Sequence, residues 1–236
     1  GLALSAFTVA IVAAMAASAA VARRCSGRTI IVVMLVLLGL ASAAVHLNTG
    51  PLMFYFAVIA FGATLGLTDV IMNAEASAIE VEIGQPIFAS FHAAVSLSVA
   101  VFAILGSVLA VAVGPIGAVA TVAAAVLAAA YLVYRYVPAR PLPPPRRKDA
   151  PAPVVTTRLM LLGIAAGVII AAETVALLWS ARLLDDVAPR LAAYAGAGVA
   201  FFGLCNGLVR FVGDRLRSAF GDVPLMAGSI VVAIIG

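Results

Sequence analysis

Runs of about twenty apolar residues recur along this chain, separated by short breaks that hold most of its charge, and that spacing constrains the fold more than any motif does. An α-helix rises 1.5 Å per residue, so about twenty apolar residues cross a hydrocarbon core of about 30 Å. Measured by that length, the sequence divides into about eight spans, near 1–22, 29–46, 51–73, 87–112, 115–137, 159–181, 191–211 and 223–236. Gly114-Pro115 is the turn that divides the long uncharged stretch before Arg135. Composition agrees: 65% of residues are hydrophobic and 10% charged, against roughly 45–50% and 25% in soluble domains. A β-barrel needs apolar and polar residues alternating with period two, a pattern this sequence lacks. The predicted fold is all-α, a polytopic membrane helix bundle.

Charge orients the bundle. If the breaks alternate sides, one set holds Arg23, Arg24 and Arg28, then Arg135, Arg140, Arg146, Arg147, Lys148 and Arg158, then Arg210, Arg215 and Arg217. The other holds Arg182 and Arg190, so the first set is expected on the cytoplasmic side. The break carrying Glu75, Glu80 and Glu82 has no base, but acids contribute little to orientation. Residues 138–157 combine prolines with a cluster of bases and read as a cytoplasmic linker. It separates an N-terminal bundle of about five spans, 1–137, from a partial C-terminal bundle of about three, 158–236. The two cysteines, Cys25 and Cys205, are too few for a metal motif or a disulfide framework, so neither a metal nor a cofactor is expected. Nucleic acid is not implied. The short turns around Arg23-Arg24 and around Asp214-Arg215 resemble one another, as duplicated halves of a transporter would.

The polar residues that fall inside apolar runs are the candidate site. A carboxylate near the bilayer centre is unfavourable by roughly 2.5–3.5 kcal/mol on insertion scales, so it is normally kept facing a bundle interior or a watery path. Asp69 and Asn73 lie four residues apart and share a helix face, as do His92 and Ser96 on the next span. The functional reading is a gate or coupling-ion contact, with His92 able to answer a proton gradient; the alternative is polar glue between helices. Glu173 is the sharpest single position, apolar on either side with no base in the middle of its span, which suits a group that gains and loses a proton. Trp179 near the outer end is an interface anchor or a stacking platform for a sugar-like ring. Asn206 could hydrogen-bond a polar solute or tie two helices together. Asp214, Arg215 and Arg217 form a cytoplasmic turn able to hold an inner gate shut.

With its paired bundles, basic central loop and Gly213-Asp214-Arg215 turn, the chain resembles the major facilitator superfamily. Gly66, Asp69, Asn73, Glu80, Gly84, Pro86, His92 and Ser96 look like the spaced signature of its bacterial rhizopine-transporter-like branch. Glu173 with Trp179-Ser180, and Arg210 followed by Gly213, Asp214 and Arg215, fit two further parts of that pattern. Gln85 and Leu178 stand where the pattern has an Arg and an Asp. The resemblance implies paired six-helix halves truncated at both ends, the sequence corresponding to about the second to the ninth span. It implies a gating or structural role for Glu80, Arg210, Gly213, Asp214 and Arg215. Substrate or proton coupling falls to Glu173, Asp69, Asn73, His92, Ser96, Asn206 and Trp179.

The expected function is therefore secondary active transport, not enzymatic catalysis. A small polar solute, sugar-like or cyclitol-like, would cross by alternating access, coupled to protons or another ion, in a monomer of the bacterial inner membrane. Proton-coupled efflux of amphipathic compounds is an alternative, as is a transport-inactive scaffold or receptor.

Overall fold

A computed structural model describes residues 1–47, 50–140, 156–190 and 196–235. Most of the linker, including Arg146, Arg147 and Lys148, lies outside the described residues. The described residues form helices and no strand: α1 (Leu2–Ala22), α2 (Gly27–Leu47), α3 (Pro51–Ile83), α4 (Phe88–Ala112), α5 (Gly114–Tyr136), α6 (Thr157–Val187), α7 (Gly196–Phe220) and α8 (Asp222–Ile235). Seven of these, α1 to α7, are long and apolar enough to cross a membrane. The chain is thus a polytopic bundle of membrane-spanning-length helices. Their outward faces carry large apolar side chains such as Leu161, Ile169 and Val209, a surface that suits lipid.

Three helices outrun the spans expected from hydropathy. Helix α3 passes Asn73 and continues to Ile83, so Glu75, Glu80 and Glu82 ride on it instead of forming the turn. Ala74 to Ile83 contains good helix formers and no breaker until Gly84, whose φ of 64° suits glycine, and Pro86. Helix α6 likewise runs on to Val187, past the limit of 181 expected for its span. Helix α7 runs to Phe220, so Gly213, Asp214 and Arg215 are helical; the break comes at Gly221, with φ 78°. The expected Gly213-Asp214-Arg215 turn is corrected accordingly. By contrast α4 and α5 part at Gly114, φ 74°, with Pro115 in the first turn of α5, as read from sequence.

Packing divides the chain into two compact units, Gly1–Glu82 with Leu109–Pro151, and Ile83–Val108 with Ala152–Gly236. Division at the linker alone leaves most of α4 with the N-terminal bundle; contacts group Ile83–Val108 with the C-terminal helices instead.

In the first unit, Ile30, Ile31, Leu67 and Ile71 form a buried cluster supported by Ala14, Met34 and Val133. Lipid tails are as apolar as leucine, so close backbone packing has to bring such helices together. Helices α1 and α3 achieve it over glycines: a Cβ on Gly62 would lie 2.5 Å from the Phe7 carbonyl oxygen, and one on Gly66 2.6 Å from that of Ile11. Phe7 stacks on Phe61 at 5.7 Å beside that crossing.

The second unit repeats the device with other helices. A Cβ on Gly203 of α7 would lie 2.9 Å from the Ser96 carbonyl oxygen of α4, and one on Gly207 2.8 Å from Leu97 Cγ. Side chains larger than hydrogen would push α7 off α4. Thr156 caps α6 by accepting from the Leu159 amide at 3.2 Å.

Candidate functional site

Glu173 sits on α6 where the sequence offers it no base, and the fold brings one from α7. The Arg210 guanidinium donates through Nη2 to both carboxylate oxygens, at 3.1 and 3.0 Å. Asn206 Nδ2, one helical turn earlier on α7, donates to Glu173 Oε1 at 2.7 Å. Arg210 Nη1 donates to Ser96 Oγ of α4 at 2.9 Å, and Ser96 Oγ donates to the His92 carbonyl oxygen at 3.1 Å. One cation and one anion, each tied by further hydrogen bonds, thus link three apolar helices. Bonding of this kind is what keeps an ion pair tolerable away from water. The pair is not sealed: the Arg210 and Glu173 side chains keep 31% and 25% of their exposure.

Arg210, assigned from sequence to the gating turn, is therefore a member of the Glu173 cluster, deep within α7. The α4 to α7 glycine crossing makes this possible, because Gly203 and Gly207 bracket Asn206 and let α7 lie close to Ser96. One turn beyond Arg210, Asp214 Oδ2 accepts from the Ser90 amide at 3.1 Å and from Ser90 Oγ at 3.0 Å. These are first-turn groups of α4, so Asp214 caps that helix from a neighbouring one. A Cβ on Gly213 would lie 3.7 Å from that of Ala89, and Arg215 is exposed. Ser90 was not anticipated; a Ser in the first turn after Pro86 is the signal that could have found it.

A groove of about 810 Å³ opens along the α6 to α7 seam. Trp179, Phe201 and Phe202 give it aromatic walls, Ala176, Ser180, Gly198 and Cys205 line it further, and Arg182 and Asp186 sit at its rim, paired to each other at 3.4 Å. Trp179 is exposed. Ser180 Oγ is buried and has no hydrogen-bond partner. On α6, residues 173, 176 and 180 share a helix face, as do 198, 202, 206 and 210 on α7. The stripes that line the groove are thus the stripes that carry Glu173, Asn206 and Arg210.

The remaining sequence-derived positions divide between the units. His92 belongs to the second, its ring 4.8 Å from that of Phe88 and 5.6 Å from that of Phe91. Asp69 and Asn73 belong to the first, half-buried on one face of α3, with Asn73 Oδ1 buried and unpartnered. Glu80 is half-buried on the same helix.

The strongest polar feature of the first unit involves a residue to which sequence reading gave only a topological role. Arg140 donates through Nε to Glu75 Oε2 at 3.2 Å and through Nη1 to Glu82 Oε2 at 2.6 Å. Those bonds, first from Glu82 and then from Glu75, hold its guanidinium above the ordinary arginine range. Glu75 is buried at 5% exposure, its carboxylate pressed against Gly27 at the start of α2. No spacing rule joins residues 65 apart, so only the fold could reveal this bridge.

Among the described residues, no group of three or more His, Cys, Asp or Glu is placed to hold a metal ion. No protein-family model, curated protein or solved structure matches the chain.

Proposed function

We propose that the chain is part of a secondary active transporter of the major-facilitator type, built as paired helical halves in a bacterial inner membrane and working by alternating access. The observation that carries this reading is the Glu173–Arg210–Asn206 cluster, ionisable groups within otherwise apolar helices of membrane-spanning length. Such groups characteristically mark ion and solute paths. Glu173 can exchange a proton, and a proton can drive a conformational change only if it binds one state better than another. Opening and closing the Arg210 contact supplies that difference. The transported species is a small solute with polar groups, carried with a proton by a monomer.

The solute's chemistry has two readings. The sequence resemblance favours a cyclitol-like polar molecule. The groove, walled by Trp179, Phe201 and Phe202, favours an amphipathic one, imported or exported. Reconstituted into proteoliposomes, the intact protein is expected to show solute-dependent proton movement that Glu173→Gln abolishes. Unchanged coupling in that variant would refute the assignment of Glu173, and solute binding without flux would identify a receptor.

A further inference from the structure

We propose that the groove on the α6 to α7 seam binds an amphipathic organic monocarboxylate, whose carboxylate replaces that of Glu173 on the Arg210 guanidinium. The inference rests on the transporter reading and names its substrate class. Five observations carry it. The groove's volume of about 810 Å³ suits small-molecule sites, which run at about 300–1,000 Å³. Its walls are apolar and aromatic, fit for a hydrocarbon or aryl body. Ser180 Oγ is a buried hydroxyl still lacking a partner among the lining residues. The helix stripes that line the groove continue onto Asn206, Glu173 and Arg210. Finally, Arg210 already holds a carboxylate, Nη2 donating to both oxygens of Glu173, and Glu173 is the occupant to be exchanged.

Charge decides how the exchange proceeds. The cluster pairs one cation with one anion, so adding a second carboxylate leaves an excess negative charge among apolar helices. The neighbouring charges offer no relief. Arg182 is paired to Asp186 at the rim, and Asp214 is engaged by Ser90. His92 on α4, one turn before Ser96 and packed on Phe88 and Phe91, and the free Cys205 next to Asn206 are the further titratable side chains close to this network in sequence. Binding is therefore accompanied by one proton from solvent to the Glu173 carboxylate, which leaves Arg210 as a neutral acid while the ligand takes its place. Asn206 Nδ2 stays beside Glu173, able to bond either form of the acid.

The test compares phenylacetate with its uncharged isostere 2-phenylacetamide, by calorimetry on the intact protein in detergent. Phenylacetate is expected to bind with uptake of about one proton, seen as a buffer-dependent binding heat, and the amide at least about tenfold more weakly, as befits loss of a charge-assisted contact. In Glu173→Gln the competing carboxylate is gone. Phenylacetate then binds about tenfold tighter with no proton uptake. Arg210→Gln loses phenylacetate binding. If either variant fails to fold, proton uptake by the wild-type protein still decides. Equal binding of acid and amide, binding without proton uptake, or binding abolished by Arg182→Gln would each overturn the proposal. A myo-inositol titration that stabilises the protein while phenylacetate does not would also overturn it, yet would leave the transporter reading intact. Phenylacetate binding with no flux in proteoliposomes would remove transport and keep the site.

Discussion

Two ionic clusters, each built on an Arg that meets Glu, are different objects because of where they lie. In the first unit Arg140, outside the helices, gathers Glu75 and Glu82 from the last turns of α3. In the second, Arg210 meets Glu173 between the middles of two membrane-length helices. The first bridge fastens a helix end beside Gly27, where Glu82 and Arg140 reach water and charge is cheaply solvated. The Arg140–Glu82 half of it is exposed and screened by water, whereas Glu75 is buried. The second has aromatic groove walls along its seam and lies midway along helices long and apolar enough to cross a membrane. A charge there must be paired, protonated or exchanged for a ligand. The comparison teaches that the pairing of a base with an acid has different consequences at a helix end and midway along a membrane-length helix.

That contrast can be broken at several points. Glu173→Gln should give the largest effect, abolishing proton-coupled flux; proteoliposome assays measure it. Next is Arg210→Gln, which leaves Glu173 without its cation. With both side chains part-exposed, about 1–3 kcal/mol of stability should be lost, and Arg210→Gln with Glu173→Gln should lose less than the two single changes summed. Thermal unfolding in detergent measures both. Gly203→Ala should follow, because its Cβ would come 2.9 Å from the Ser96 carbonyl oxygen and press α7 from α4. The overpacking is worth about 1–3 kcal/mol, and it should also lower flux by loosening the Arg210 to Ser96 contact.

The first cluster should respond less. Glu75→Gln should lower the unfolding temperature by less than Gly203→Ala and leave the proton-to-solute ratio unchanged; a changed ratio would give this bridge a share in coupling. The smallest effect concerns pH. Because Arg140 is held above its ordinary range, its bridge is fully formed at neutral pH and is lost only as pH rises through that elevated value. Between neutral and mildly alkaline pH, stability should therefore be the same in wild type and Arg140→Gln apart from a constant offset. A pH-dependent difference between them would contradict the assignment.

Much of the fold was legible because a bilayer imposes a length. Helices α4 and α5 and the turn at Gly114 fall where hydropathy and a Gly-Pro pair put them. Helices α3, α6 and α7 run longer, since hydropathy marks where a chain becomes polar, while Ala, Glu and Arg carry a helix onward until Gly84 or Gly221 stops α3 or α7. Glu173, Asn206 and Ser96 stood out singly as polar residues in apolar runs, and the fold draws them together around Arg210. Arg210 was misplaced because a base just before Gly213-Asp214-Arg215 reads as loop-facing when the span is ended too early.

The sequence by itself determined a bundle of membrane-length helices and the rarity of its internal acids, because insertion into hydrocarbon acts residue by residue along the chain. Only the tertiary structure decided which charges meet. Arg140 finds Glu75 and Arg210 finds Glu173 across distances in sequence that no local rule spans. Such pairings depend on which helix faces touch, a property of two surfaces at once.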